Sequence, residues 1–190
     1  PRPELGSLRY DRAAMTRWLI MPRGINVGKS NRVPMAGIRT ELGKAGFENI
    51  VTIGQSGNIA ADREASEQQV CFSVQSMMHD AFGVDVPVVV RCADEIREAL
   101  CANPLKTIAT DGSRYLVIFL SASPTKAQAA ALTAEDFSPE VVRLIGRTAF
   151  VWTPDGVKAM KASHTALEKR FGITATARNW NTLEKIATKL

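Results

Sequence analysis

Two kinds of segment alternate along the chain: short apolar runs, and longer stretches in which apolar residues return every three or four positions. Residues 17–23 hold Trp18, Leu19, Ile20 and Met21 in a row and predict a strand. A polar, glycine-bearing loop follows over 24–31. Pro34 suits the first residue of a helix, in which Met35, Ile38, Leu42 and Ala45 recur at helical spacing until Gly46. Residues 51–53 and 58–61 predict two short strands around the turn Gln55-Ser56-Gly57. Ser66 caps a second helix carrying Val70, Val74, Met77, Met78 and Ala81, which stops near Gly83. Residues 86–91 make a further strand, so the order is β-α-β-β-α-β.

The second half repeats that order. A bridging helix over 94–102 ends before Pro104. Tyr115–Leu120 is a strand, and Ser123-Pro124 opens a helix running to Leu132. Val141–Ile145 and Thr148–Trp152 form a hairpin about Gly146-Arg147. The Pro154-Asp155-Gly156 turn leads into a helix with Val157, Met160, Leu167 and Phe171. Residues 174–178 are the last strand. Leu183, Ile186, Ala187 and Leu190 mark a short C-terminal helix, with Asn181 and Glu184 at capping-box spacing. The expected fold class is α+β: two ferredoxin-like (β-α-β-β-α-β) halves in tandem, antiparallel sheets, plus a C-terminal helix. The halves span 15–92 and 93–190 and are expected to pack as one unit, because each alone leaves a sheet face open. Residues 1–14 read as a poorly ordered leader without the apolar core of a signal peptide.

Composition narrows the function classes. With 190 residues, 45% hydrophobic and 23% charged, the chain is an ordinary globular one. Cys71, Cys92 and Cys101 form neither a metal knuckle nor a paired framework, which predicts reduced thiols and a cytoplasmic protein. No apolar run approaches the ~20 residues of a membrane span, so no membrane partner is expected.

Several strings imitate known motifs. Gly24-Ile25-Asn26-Val27-Gly28-Lys29-Ser30 nearly spells a phosphate-binding loop, but it has three residues where a Walker A loop has four, and Arg23 stands in place of the first glycine. Gly54-Gln55-Ser56-Gly57 lies between two strands, where a nucleophile elbow joins a strand to a helix, so it reads as a polar turn. His79 and His164 lack the partners of a zinc site, and His164, among Lys161, Ser163 and Lys169, reads as part of a solvated helix face. No metal or cofactor is expected. Residues 177–182 put Arg178, Asn179, Trp180 and Asn181 at a strand-to-helix junction. Asn181 can cap the helix and Trp180 staple it to the sheet, or Arg178 and Trp180 can form an anion or base site.

Taken together, Arg23-Gly24-Ile25-Asn26-Val27-Gly28, Gln55-Ser56-Gly57-Asn58 and Arg178-Asn179-Trp180-Asn181-Thr182 resemble the signature stretches of the bacterial domain of unknown function 1697 family. The resemblance extends over about 15–190, with Gly46-Phe47, Glu168-Lys169 and Phe171-Gly172 in fitting places. It implies an α+β fold with ferredoxin-like halves and no established activity. The chain departs from the pattern in three places: Gly28-Lys29 replaces Gly-Gly, Pro22 replaces a common leucine, and Ile53-Gly54 replaces Tyr-Ile. A proline is costly inside a central strand, so Pro22 is expected at the strand's end.

The candidate ligand-binding residues are Arg23, Gly24, Asn26, Gln55, Ser56, Asn58, Arg178, Asn179, Trp180 and Asn181. Three readings compete. The first is a module binding an anionic ligand, a phosphorylated small molecule or nucleic acid, where the loops converge. The second is an enzyme at the same cluster, whose catalytic residues the sequence does not name. The third is a structural or interaction module with no small-molecule site. Charge distribution favours the first. Residues 17–46 carry six Lys/Arg against Glu41, a net of +5, and residues 141–190 carry nine against three acids, a net of +6. The whole chain is +5, which leaves −6 on the remainder. Two of the three motifs lie in the basic segments, whose joint field draws anions if they adjoin.

Overall fold

Alternation along each strand divides its side chains between two cores, and that division sets the layers of the molecule. The computed structural model describes residues 15–27 and 31–190. Its first sheet has the order β2-β3-β1-β4, from β1 (Thr16–Pro22), β2 (Glu48–Ile53), β3 (Asn58–Arg63) and β4 (Val88–Cys92). Its second has the same order in β6-β7-β5-β8, from β5 (Tyr115–Leu120), β6 (Val141–Ile145), β7 (Thr148–Trp152) and β8 (Ala175–Asn179). Every pairing is antiparallel. This is the tandem ferredoxin-like α+β plan.

Trp18, Ile20, Ile59, Val88 and Val90 face one core with α1 (Met35–Lys44) and α2 (Glu67–Phe82). The alternate residues Leu19, Met21 and Val89 face Val117, Phe119 and Phe150 of the other sheet. This inner layer also takes α3 (Ala93–Ala102) and α6 (Trp180–Ala187), through Ile96, Leu183 and Ile186. Ile118, Leu120, Ala149 and Val151 form the third core beneath α4 (Lys126–Ala134) and α5 (His164–Phe171). The open sheet faces of the two halves therefore cover one another.

Local chemistry moved four expected boundaries. Pro34 is the N-cap of α1, in extended conformation, and Met35 starts the helix. The fourth helix opens at Lys126 and not at Ser123-Pro124, because Thr125 and Gln128 form a reciprocal capping box. The single helix expected after Gly156 is broken: a 3-10 turn over Val157–Ala159 is followed by α5 from His164. The buried Glu140 carboxylate accepts from Lys161 N at 2.5 Å and Ala162 N at 2.9 Å, taking backbone donors a continuous helix would use. At the C-terminal helix, Asn179 and not Asn181 is the N-cap, accepting from Thr182 N at 2.9 Å. The Glu184 carboxylate accepts from Trp180 Nε1 at 2.9 Å, so no capping box forms there. Pro22 does end β1, opposite Val88.

The leader expected over 1–14, and Gly28, Lys29 and Ser30 of the glycine loop, lie outside the described residues. Among the described residues no helix is long and apolar enough to cross a membrane.

Candidate functional site

The end of β1 and the start of β4 in the first sheet meet β8 of the second around an open cleft of about 620 Å³. Strand order explains the meeting. β1 and β4 are neighbours, as are β5 and β8, and the inner layer brings the two pairs face to face. The first half supplies Pro22, Ile25, Val86 and Pro87 as a mostly apolar wall, with Arg23, Gly24 and Ser56 at its edge. The second half supplies Thr176, Arg178, Asn179, Thr182 and His164. Neither half holds both walls.

Two turns press the first wall into shape. Asn26, at φ +55°, accepts from Val33 N at 2.8 Å and donates to Val33 O at 2.9 Å and Gln55 O at 3.0 Å. It thereby ties the glycine loop to the 55–57 turn. Gly57, at φ +73°, lies so close to Ile25 that a Cβ there would sit 2.7 Å from Ile25 Cδ1. A side chain at 57 would push the turn off the loop.

The wall is one-sided in its hydrogen bonding. Its acceptors are occupied within the protein. Asn58 Oδ1 accepts from Arg178 Nε in a very short contact, and Thr176 Oγ1 accepts from Arg178 Nη1 at 2.9 Å. Asn58 Nδ2 donates to Ser56 Oγ at 3.2 Å, and Asn179 Oδ1 takes the Thr182 amide. Donors remain. Among the described residues Arg178 Nη2, Asn179 Nδ2 and the Thr182 hydroxyl make no hydrogen bond. Neither ring nitrogen of His164 has a partner. On this side of the cleft unpaired donors therefore gather, while the Asp85 carboxylate stands at the opposite rim.

Among the described residues Arg178 has no carboxylate within 4 Å, and burial alone pulls its guanidinium down to about 10. A guanidinium stays protonated at neutral pH even so. Burial is the cause of the shift, so this guanidinium is a desolvated charge. Arg23 differs: Nη1 donates at 2.6 Å to Glu168 Oε1, which also takes Ala175 N at 2.8 Å. Burial first, then the charge of Arg23, and to a smaller extent Arg178, hold His164 below the usual imidazole range, against Glu168. Its position at the start of α5 adds to this, since helix N-termini disfavour cations.

Of the ten expected site residues, the cleft gathers Arg23, Gly24, Ser56, Arg178 and Asn179. Asn26 and the buried Asn58 stand behind the wall and hold it. The Gln55 side chain is exposed at the turn, and only its carbonyl is engaged. Trp180 is directed elsewhere: its ring stacks on Tyr115 with centroids 4.8 Å apart and planes 7° apart. That stacking fits the stapling role. Asn181 is exposed one turn from the cleft, beside Gly112. His164, Thr176 and Thr182 were not among the expected residues. The break caused by Glu140 moves His164 from a solvated mid-helix face to the first turn of α5, half-buried on the cleft wall.

At the other end of the same interface lies a second arginine cluster with the opposite balance. Arg91, only 1% exposed, donates from β4 to Leu120 O at 2.5 Å and Arg147 O at 3.2 Å in the second half. Arg147 grips Glu67 with two parallel bonds of 2.8 and 2.7 Å and reaches Glu95 at 2.5 Å. Those carboxylates lie 3.8 and 3.6 Å from Arg91. Burial, and then Arg147, lower Arg91 to about 10, while Glu67 foremost raises Arg147 above its ordinary value. Two cations face two anions. Among the described residues no group of three His, Cys, Asp or Glu is placed to hold a metal.

Comparison with known proteins agrees with the fold. A conserved bacterial protein, SP0830 from Streptococcus pneumoniae, superposes with a TM-score of 0.73 at 24% identity, over 92% of this chain and 98% of its own. No curated protein matches the chain. The family model described as "Protein of unknown function (DUF1697)" matches residues 15–150, which takes in the Arg23 and Gln55 motifs and stops short of Arg178. With that match over most of its length, two sheets of the same strand order and both motifs at the cleft, the chain belongs to the DUF1697 family.

Proposed function

We propose that the cleft between the halves binds an anionic small molecule through Arg178, with Asn179, Thr182 and His164 as further donors. The observation that carries this reading is the charge of Arg178: desolvated, unanswered by any carboxylate within 4 Å among the described residues, and on the lining of the cleft with one guanidinium nitrogen unpartnered. A cleft of about 620 Å³ lies within the range of small-molecule sites, roughly 300–1,000 Å³. Basic segments 17–46 and 141–190 adjoin here through Arg23 and Arg178, which supports the attraction of an anion.

Nucleic acid is the weaker version of this reading. The inner faces of both sheets are covered by one another and the outer faces by helices, so no sheet platform is open for stacked bases. The aromatic ring of the junction, Trp180, is already stacked on Tyr115. The enzyme reading lacks a nucleophile poised by a base: Ser56 Oγ is bonded to Asn58 and not to His164.

Equilibrium dialysis of labelled inorganic phosphate against the full chain tests the proposal. Saturable binding at one site per chain is expected, abolished by Arg178→Met and retained in Trp180→Phe. Absence of binding at low ionic strength, or equal binding by Arg178→Met, overturns it.

A further inference from the structure

The cleft holds an unusual set of charges around one imidazole. His164 lies on its wall, half-buried, and neither ring nitrogen has a partner among the described residues. The groups facing it are Arg23 from the end of β1, Glu168 one turn along α5, and Arg178 from β8. Asp85 stands at the rim beside His79, which it meets at 2.9 Å, and both are exposed. Arg23 and Glu168 cancel in a 2.6 Å ion pair. Among the described residues, what remains on the inner wall is the positive charge of Arg178 and an imidazole held below its ordinary range, with the Asp85 carboxylate out at the exposed rim.

Resting on the anion-binding reading, we propose that the natural ligand presents a tetrahedral dianion of the phosphate-monoester or sulfate type, which His164 binds as an imidazolium, so that binding takes up one proton. The charge count carries the step. A monoanion is balanced by Arg178 alone and leaves His164 neutral, with no further charge to face. A dianion leaves one negative charge unanswered; among the described residues His164 is the half-buried titratable group on the wall that can supply its match, since Asp85 at the rim carries the wrong sign. A phosphate monoester carries about −1.5 to −2 at neutral pH, which is the charge the protonated site complements. The forces that keep the free imidazole neutral, burial and the neighbouring guanidiniums, are those a dianion reverses: it replaces lost hydration with charge-assisted hydrogen bonds and offsets both arginines. The proton passes from solvent to the imidazole on binding and returns on release, so no other reactant is needed. The apolar wall of Pro22, Val86 and Pro87 suits the body of the molecule that bears the dianion.

Sulfate is the probe, because it remains a dianion across the working range and cannot itself exchange the proton. Titration calorimetry of the full chain in two buffers of different ionisation enthalpy reads the proton uptake directly. Near neutral pH, sulfate is expected to bind with uptake approaching one proton, and nitrate, a monoanion, with none. Sulfate affinity should rise by up to ~10-fold per pH unit on acidification through the range of uptake. His164→Gln should bind sulfate more weakly and without proton exchange. As a control on folding, His79→Gln leaves His164 as the lone histidine, and its ring resonance should titrate at higher pH when sulfate is present. Sulfate binding without proton uptake, uptake that survives His164→Gln, or a His164 titration unmoved by sulfate overturns this proposal while leaving the anion-binding reading intact. Failure of every anion to bind overturns both.

Discussion

Arg91 and Arg178 each cross from one sheet to the other, and they differ in what answers their charge. Arg91 leaves β4 for the carbonyls of Leu120 and Arg147, with Glu67 and Glu95 alongside. Arg178 leaves β8 for Asn58, and no carboxylate follows. Both guanidiniums are pulled down to about 10 by burial. At the first the protein completes the circuit itself, and the cluster fastens the halves. At the second the circuit is open and a cavity lies beside it. A crossing arginine is a staple where its counter-charges are internal and a candidate binding site where they are not.

The largest effect should come from opening the closed circuit. Replacing both partners, Glu67→Gln with Glu95→Gln, strands Arg91 and Arg147 without anions. Removing the partner of a buried charge costs about 3–5 kcal/mol, and chemical denaturation should show a loss of that order. Arg178→Met should cost less, about 1–3 kcal/mol, because the acceptors it gives up, on Asn58, Thr176 and Ala177, are neutral and no carboxylate is stranded. If the two costs are reversed, Arg178 is the structural arginine and the comparison fails.

Closing the open circuit should stabilise. Sulfate at about 100 times its Kd should raise stability by about 2.7 kcal/mol, with chloride at matched ionic strength as the control for screening. Arg178→Met should remove the difference between the two salts, and the glutamine pair should keep it.

Acidity acts on the same contrast. The folded-state pKa of His164 is depressed, so the unfolded chain binds the proton first as pH falls. The stability it contributes is fully present above its ordinary value of about 6.5 and is lost as pH falls through the lower folded value. Thermal melts between pH 7.5 and 5 should therefore show an acid loss that His164→Gln reduces and sulfate offsets. The smallest effect is expected at Trp180→Phe, which keeps a ring on Tyr115 and gives up the exposed bond to Glu184 with part of the indole's packing, about 1 kcal/mol, and leaves anion binding unchanged. A loss of binding there would return the indole to the site.

Much of this arrangement was legible in the chain, and what was not has identifiable causes. Near-continuous apolar runs in residues 17–23, 86–91 and Tyr115–Leu120 mark the strands, because both faces of each are buried against different partners. The convergence of Arg23, Ser56 and Arg178 was foreshadowed by their place in polar loops at strand ends. His164 was missed because its position depends on Glu140, some twenty residues away, capturing the amides of Lys161 and Ala162. Local spacing carries no trace of that bond. The helix cap was misplaced by two residues because Asn179 and Asn181 are equally good cap residues, and the register of β8 on β5, Leu116 opposite Asn179, decides between them. The staple formed by Arg91 and Arg147 was unseen because its four charges come from four separate segments.

Diffraction from crystals soaked in selenate, a tetrahedral dianion with an anomalous signal, tests the open-circuit claim most directly. An anomalous peak is expected in the cleft, within hydrogen-bond distance of Arg178 Nη2 and the His164 ring, and none beside Arg91 or Arg147. A cleft without selenate, or selenate bound at the Glu67–Arg147 cluster in its place, would contradict it.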